Sequence, residues 1–472
     1  MKRTIQILAL SYAFAVSGQT QLGLRTSNYS GVNSVLLNPS SFHNSPLKWD
    51  VNLLSAGVFA YNQYAYVENA SVLDVIKYRG SLISSQSLGE GESREQNSLY
   101  YNFFNHNRPF TSSINAFVTG PSVQFRWKDF TFGVFTNSRL AFSSTKLDSD
   151  LDYFSLDQWA IGESKEINPF VIAGMAWGEV GVNMATTLRK NLHSEITAGV
   201  NLKYLMGMEG FYIQNRHRTT ITSLDDTTLI NGGPIEYGFT PAFAGSAPTK
   251  NGNGASADIG FNIIKRAHNG KPYHWKLGLS VVDLGFIHFN KGSQKHSFDQ
   301  SDVYDLDNAS ISGNGLGELS QNLSEEAFGD ASQSLVANDF TILTPSALSL
   351  QFDYSITKKW FANATVNRRF NLHQVVVDRE NLWSVSARYE TKWFEFGVPV
   401  VLYDDKHLRV GTFVRLWMLT VGSDHINSIF LKQRYLAGSD IYFALRINSL
   451  SNPFTKRARG RKGLRNTEDC YF

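Results

Sequence analysis

Residues 346–370, SALSLQFDYSITKKWFANATVNRRF, hold the pattern that most restricts what this chain can fold into. Leu348, Leu350, Phe352 and Tyr354 alternate with Ser349, Gln351 and Asp353. After a turn at Thr357-Lys358-Lys359, Trp360, Ala362, Ala364 and Val366 alternate with Asn363, Thr365, Asn367 and Arg369. Successive side chains of a strand point to opposite faces, so a period of two marks a β-strand whose faces meet different surroundings. The pattern recurs along the chain. Val123, Phe125 and Trp127 oppose Gln124 and Arg126, and Ile259, Phe261 and Ile263 oppose Asp258 and Asn262. Ile441, Phe443, Leu445 and Ile447 oppose Tyr442 and Arg446. In the first segment Trp49, Val51, Leu53 and Phe59 are read on one face, opposite Asp50 and Asn52.

Strands are expected near 48–62, 112–127, 130–143, 170–188, 195–213, 254–266, 273–289, 345–356, 359–370, 381–391, 393–403, 407–421, 427–435 and 439–449. Many exceed the ~5–6 residues of a globular strand and reach the ~9–11 residues a tilted strand needs to cross a bilayer. Aromatic residues gather at their ends, at Trp49, Tyr61, Trp127, Trp275, Tyr354, Trp360, Trp383 and Trp393, where the interfacial girdles of a membrane barrel lie. Connections alternate in length: 63–111, 144–169, 214–253 and 290–344 are long, whereas Lys128-Asp129, Arg189–Ser194, 268–272 and Thr357-Lys358 are short. After the ninth strand every connection reads as short. Outer-membrane barrels alternate in this way, with short periplasmic turns and long external loops. A soluble sandwich has no reason to sort loops by hairpin parity, and no repeat of propeller length is present. The expected fold is therefore all-β, a transmembrane barrel of about fourteen antiparallel strands over 48–450.

The ends agree. MKRTIQILALSYAFAVSG has a basic start, an apolar run from Ile5 to Val16 and small residues at 17–18, the form of a secretory signal peptide over 1–18. Beyond it no apolar run approaches the ~20 residues of a spanning helix. A single Cys470 leaves no intramolecular disulfide. Charged residues make up 18 % with a net charge of +3, which gives no reason to expect nucleic acid as a partner. Residues 451–472 carry Lys456, Arg457, Arg459, Arg461, Lys462 and Arg465, a basic periplasmic tail that either solvates the end of the chain or binds an anionic lipid or protein.

Two resemblances follow from particular residues. LLNPSSFHNS at 36–45, before the first strand, resembles the N-terminal Asn-Pro segment of FadL-like outer-membrane proteins and that of PorV-like secretion barrels. KWDVNLLSAGV (48–58), TGPSVQFRW (119–127), ITAGVNLKYLMGMEGFYI (196–213), KLGLSVVDLGFIHFN (276–290), YETKWFEFGVPVVLY (389–403) and LRVGTFVRLWMLTVGSDHIN (408–427) are similar to a large Bacteroidota family of outer-membrane barrels. The resemblance implies a hatch-like segment over 19–47 marked by Asn38 and Pro39, with Ser40 where Ala is common. It implies either passage of hydrophobic compounds or a non-transporting scaffold role, and it carries no catalytic residues.

Facing away from the apolar rows are Arg126, Arg139, Lys203, Lys276, Arg369, Arg388, Arg409, Arg415 and Arg446, with Asp50, Asp258, Asp353 and Glu390 as counter-charges. These are the lumen-facing candidates, either a basic channel lining or a ladder of ion pairs filling a closed barrel; Arg–carboxylate pairing favours the second. Asp148, Asp150 and Asp152 alternate in a loop but lack the Ca²⁺-loop pattern. Gly313, Gly315 and Gly317, in an acidic stretch at 301–335 with a helical part over Leu319–Phe328, lack the strand–helix context of a phosphate loop. No metal-ligand spacing, catalytic arrangement or cofactor motif points to an enzyme. The expectation is an exported outer-membrane barrel of a Gram-negative bacterium, in contact with membrane lipid. Its function is passage of small hydrophobic solutes, or docking of a protein partner through 63–111, 301–335 or the tail.

Overall fold

The computed structural model describes residues 21–78, 82–85, 98–104, 110–148, 160–224, 228–244, 249–267, 270–298, 302–304, 315–370 and 375–450. The signal-peptide segment, the basic tail, Asp150, Asp152, Gly313 and Cys470 lie outside the described residues.

Fourteen antiparallel strands close into one barrel. They are β1 Trp49–Asn62, β2 Phe110–Thr119 continued by Ser122–Trp127, β3 Phe130–Leu147, β4 Phe170–Lys190, β5 Ser194–Asn215, β6 Gly252–Lys265 and β7 Trp275–Phe289. They continue as β8 Ala347–Ser355, β9 Trp360–Arg369, β10 Leu382–Glu390, β11 Phe394–Tyr403, β12 His407–Val410 continued by Thr412–Leu416, β13 Leu419–Ser423 and β14 Gly438–Asn448. Each strand pairs with its sequence neighbour, and β1 pairs with β14 (Val58 opposite Ile441), so the barrel has no open edge. Closure leaves no row of unpaired backbone groups for hydrocarbon to meet. The outward rows are apolar and exposed: Leu202, Ile259, Leu350, Val385 and Phe443 are examples. At the short-turn end Trp127, Phe130, Trp360, Trp393 and Trp417 form an exposed aromatic girdle.

Four expectations need correction. The segment 407–421 is not one strand. It turns back at Trp417-Met418, with Leu416 paired to Leu419 and Trp417 at φ +54°. Such two-residue turns favour Asn or Gly at positive φ, and the tryptophan there hides the signal. The segment 427–435 is not a barrel strand. It forms a short helix, Ile426–Phe430, and a strand, Gln433–Leu436, that pairs outside the wall with Ala65–Ala70. The two misreadings compensate, so the strand number survives while the loop pattern changes: 424–437 becomes a long-side connection. Phe59 and Tyr61 face the lumen, because a β-bulge between Asn52 and Leu54 inserts a residue and flips all later side chains of β1. Finally, 112–127 is interrupted at Gly120-Pro121, where proline has no N–H for the ladder.

The described residues also form four α-helices and, beyond the long-loop end, two small sheets. The helices are α1 Leu22–Arg25, which lies inside the barrel, and α2 Val72–Lys77, α3 Leu316–Phe328 and α4 Ile426–Phe430 in the loops. Each small sheet has four strands.

Candidate functional site: a plugged lumen

Residues 21–47 fold inside the barrel. Local sequence makes this segment compact rather than extended. Asn38 accepts from Ser40 N (3.1 Å) through its side chain and from Ser41 N (2.9 Å) through its carbonyl, with Pro39 fixing the corner. This is an Asn-initiated turn of the kind an Asn-Pro pair encodes. The Ser40 hydroxyl donates to Asn38 Oδ1 (2.8 Å) and accepts from Asn262 Nδ2 (2.8 Å), two bonds an alanine would lack. Asn38 is fully buried, and its Nδ2 donates to Phe261 O (3.1 Å) and Gln351 Oε1 (3.0 Å).

The wall makes room for this corner. Gly199 of β5, Gly260 of β6 and Gly278 of β7 lie where the turn touches the barrel. A Cβ on Gly199 would sit 2.6 Å from the Pro39 carbonyl carbon, and one on Gly260 would sit 2.2 Å from Asn38 Oδ1. Only residues without a side chain allow so close an approach.

Farther along, Val32, Val35, Leu36, Phe42 and Leu47 form an apolar cluster with Phe135 of β3. His43 is clasped between two wall hydroxyls, Thr131 Oγ1 at 2.8 Å and Thr187 Oγ1 at 2.9 Å. Burial, reinforced by the Arg126 charge, lowers its pKa to about 4, so the imidazole is neutral at physiological pH.

The inward charges fall into distinct groups. Arg126 donates to the carbonyls of Phe42, His43 and Ser45, and Arg446 donates to Tyr29 O (2.8 Å) and lies 3.6 Å from Asp50. Both hold the plug by its backbone. Arg388, buried completely, bridges Asp353 (2.7 Å) and Glu390 (2.8 Å), and Arg415 pairs with Glu395 (2.9 Å). Lys276 reaches Asn28 Oδ1 (3.4 Å) and the Tyr273 ring. Arg409 lies among the rings of Phe59, Tyr61 and Tyr403. Arg369 stands at the rim, 3.8 Å from Asp404.

The densest group was legible in the sequence only through Arg139, Lys203 and Asp258; Asp283, Glu179 and Arg379 were not. Asp283 accepts a bidentate pair from Arg139 (2.8 and 3.0 Å), a bond from Lys203 (2.7 Å) and one from Arg379 (2.6 Å). Lys203 also bonds Asp258 (2.8 Å), and Glu179 lies 3.6 Å from Arg139. Asp283 sits in an apolar run, VVDLGF, at a bulge with φ +56° that rotates its carboxylate inward. Arg379 arrives on the β9–β10 connection, whose Val375, Val377, Arg379 and Glu380 are all buried. A connection read as short thus folds into the barrel as a strap. An acid within an apolar run was the one available signal for Asp283; neither its bulge nor the strap has a sequence signature.

Above this tier the lumen is apolar. Met175 and Trp177 of β4, Leu205 and Tyr212 of β5, Ile287 and Phe289 of β7 pack with Phe340, Ile342 and the strap's Val375 and Val377. Across from them Leu22 meets Phe59, Tyr61, Leu382, Val401 and Tyr403. The plug and the densest ion-pair group thus lie toward the short turns, and the packed apolar clusters lie toward the long loops, with Arg409 and Asp424 buried against the second of them. Two small cavities lie at the plug. One of about 30 Å³ is lined by Arg25, Asn28, Asn262, Lys276, Gln351 and Asp353, and one of about 10 Å³ by Arg25, Arg139, Lys203 and Asp283. These are sizes for water, not for a solute in transit. Among the described residues no three His, Cys, Asp or Glu side chains are placed to hold a metal. Asp148 accepts from Asn168 Nδ2 (3.0 Å).

A closed, lipid-faced barrel with an N-terminal plug is an outer-membrane-type β-barrel protein. The chain belongs to a family of unknown function, DUF5723, whose model matches residues 39–424. No curated protein matches it. Among solved structures, it is similar to the TodX monoaromatic hydrocarbon channel in its deltaS2S3 mutant form, with TM-score 0.43 at 8 % identity, covering 89 % of this chain and 94 % of that one. It is also similar to the toluene transporter TodX of Pseudomonas putida (TM-score 0.33, 9 % identity, 93 % and 97 % covered). The toluene transporter TbuX of Ralstonia pickettii gives TM-score 0.31 at 9 % identity, with 89 % and 94 % covered. At these scores the likenesses bear no weight on function.

Proposed function

We propose that this protein is exported to the outer membrane of a Gram-negative bacterium and admits a small hydrophobic solute into the outer half of its lumen. The observation that carries this reading is the apolar cluster of that half, from Trp177 and Tyr212 to Phe289 and Phe340, with the strap's Val375 and Val377 packed into it. A water-excluding apolar cluster beside a polar plug is a region that a solute partitioning out of water can enter once its packing opens. The strap and the plug are then the two closures a solute passes in turn.

A second reading is favoured by one observation. The plug is bound by buried side chains of many strands, and the cavities beside it are water-sized. A barrel so filled suits a non-conducting scaffold that docks a partner through its external loops or its C-terminal tail.

The test uses the full chain in lipid nanodiscs with a small apolar fluorescent dye, read by energy transfer from tryptophan. Saturable transfer that is abolished by Ala173→Trp, which adds an indole among the packed side chains of the apolar cluster to which Ala173 belongs, is the expected result. A folded barrel in which transfer rises linearly, as in empty nanodiscs, overturns the solute reading and leaves the scaffold.

A further inference from the structure

Most exposed large apolar residues among those described lie on the wall, but a group of four lies beyond it. In α2, Ser71 caps the first turn by accepting from Asp74 N (3.2 Å), while the Asp74 carboxylate accepts from Ser71 N (2.9 Å). This fixes a helix of under two turns, with Val72 and Val75 packed against Val67, Leu99 and Leu436. Leu73 and Ile76, three residues apart and so on one side, are left 50 % and 62 % exposed. Beside α2 stands α4, which buries Ser428 and Ile429 and leaves Phe430 and the following Leu431 64 % and 59 % exposed. Four large apolar side chains on two adjoining helices are thus turned to the surroundings rather than to the protein.

Their position says what those surroundings are. Ser428 Oγ of α4 donates to Ser439 Oγ (2.7 Å). Ser439 lies on β14 in the same row as Ile441, Phe443 and Leu445, which face lipid. So α4 sits on the outer side of the wall, at the long-loop end, in line with the hydrocarbon-facing belt. The rim is basic: Lys77 ends α2, and Lys432 and Arg434 follow α4, with Lys432 close enough to Asp74 to act on it electrostatically. Lys77 and Arg434 lie against the rings of Tyr78 and Tyr435. Apolar side chains with cations beside them are the arrangement of an interfacial anchor, whose apolar face enters the acyl boundary while its cations meet head-group phosphates.

We propose that α2 and α4 form a membrane-surface anchor. In it Leu73, Ile76, Phe430 and Leu431 insert at the boundary of the outer leaflet, and Lys77, Lys432 and Arg434 bind the phosphates of an anionic lipid. The seam where the first and last strands meet is thereby fastened to the leaflet, and the two loops that carry the helices are held to one side of the lumen mouth.

The experiment uses full-length protein with Cys470→Ser, so that a single introduced cysteine carries an environment-sensitive fluorophore at position 430, at 76, or at 218 in another external loop. Each is placed in nanodiscs whose lipids are brominated in the upper acyl chain. The expected result is quenching at 430 and 76 at least about twofold stronger than at 218, with blue-shifted emission, because only an inserted label meets the bromines. In discs rich in phosphatidylglycerol the charge reversals K77E, K432E and R434E together should lower that quenching to its level in phosphatidylcholine discs. Equal quenching at all three positions overturns the proposal. So does a blue-shifted label that bromines do not quench, which would mean that protein, for instance a second copy, covers the face. Quenching unchanged by lipid charge or by the reversals overturns the assignment of the cations.

Discussion

Asp283 offers the sharpest perturbation, because it is the shared acceptor of three cations on three elements. Its side chain and those of Lys203 and Arg379 are 6 %, 2 % and 2 % exposed. Asp283→Asn keeps the shape and removes the charge, leaving Arg139, Lys203 and Arg379 with Asp258 and Glu179 only. Breaking a buried charge cluster from one side costs about 3–5 kcal/mol, since the cations left behind cannot be re-solvated. That is about two to three and a half orders of magnitude in the folded-to-unfolded ratio, at about 1.4 kcal/mol per tenfold. Arg379→Gln should cost less, about 1–3 kcal/mol, because Asp283 keeps two partners and the strap can lift toward solvent. The two groups touch at 2.6 Å, so the double variant should be less destabilised than the sum by about 1 kcal/mol or more. Equilibrium unfolding in a detergent that supports refolding, followed by tryptophan fluorescence, measures all four proteins. Effects that add within about 0.5 kcal/mol would refute the hub, since independent sites behave so.

The plug and the wall give further expectations. Gly260→Ala places a Cβ 2.2 Å from Asn38 Oδ1. It should dislodge the corner at about 1–3 kcal/mol and expose residues 21–47 to protease, whereas Gly178→Ala, which meets only the end of Met206 at 3.2 Å, should leave the digestion pattern unchanged. His43 has a pKa of about 4 in the folded protein, below its ordinary value. The released plug therefore binds the proton more readily, and plug attachment should weaken as pH falls from about 6.5 toward about 4. In His43→Gln, proteolysis of the plug should lose that pH dependence. Leu202, 57 % exposed on the outward row of β5, should cost about 2–4 kcal/mol as Leu202→Arg if it lies near the bilayer centre. Lys203→Met, one residue away and facing in, should act through the Asp283 cluster, not through lipid, so its cost should be the same in thick and thin bilayers.

The sequence by itself determined the barrel. Alternation at a period of two is a local property, written residue by residue in segments such as 346–370 and 254–266, and it survives without knowledge of any partner. Loop lengths sorted by parity gave the two ends, and the Asn38-Pro39 pair announced a turn through its own chemistry. The faces of Arg126, Arg388, Arg415 and Arg446 followed from parity with apolar neighbours.

Only the tertiary structure decided the rest. An inserted residue in β1 reverses Phe59 and Tyr61, and no local signal marks a bulge whose cause is the match with β14. Trp417 turns a chain that its sequence reads as continuous, because pairing across the hairpin holds it at positive φ. Asp283, Glu179 and Arg379 lie far apart in sequence, and their charges have meaning only where three elements meet in a site from which water is excluded. The gathering of apolar clusters toward the long loops arises the same way. Parity states which side chains face inward, but their height along the barrel depends on how each strand is staggered against the next, and that is settled only when the sheet closes.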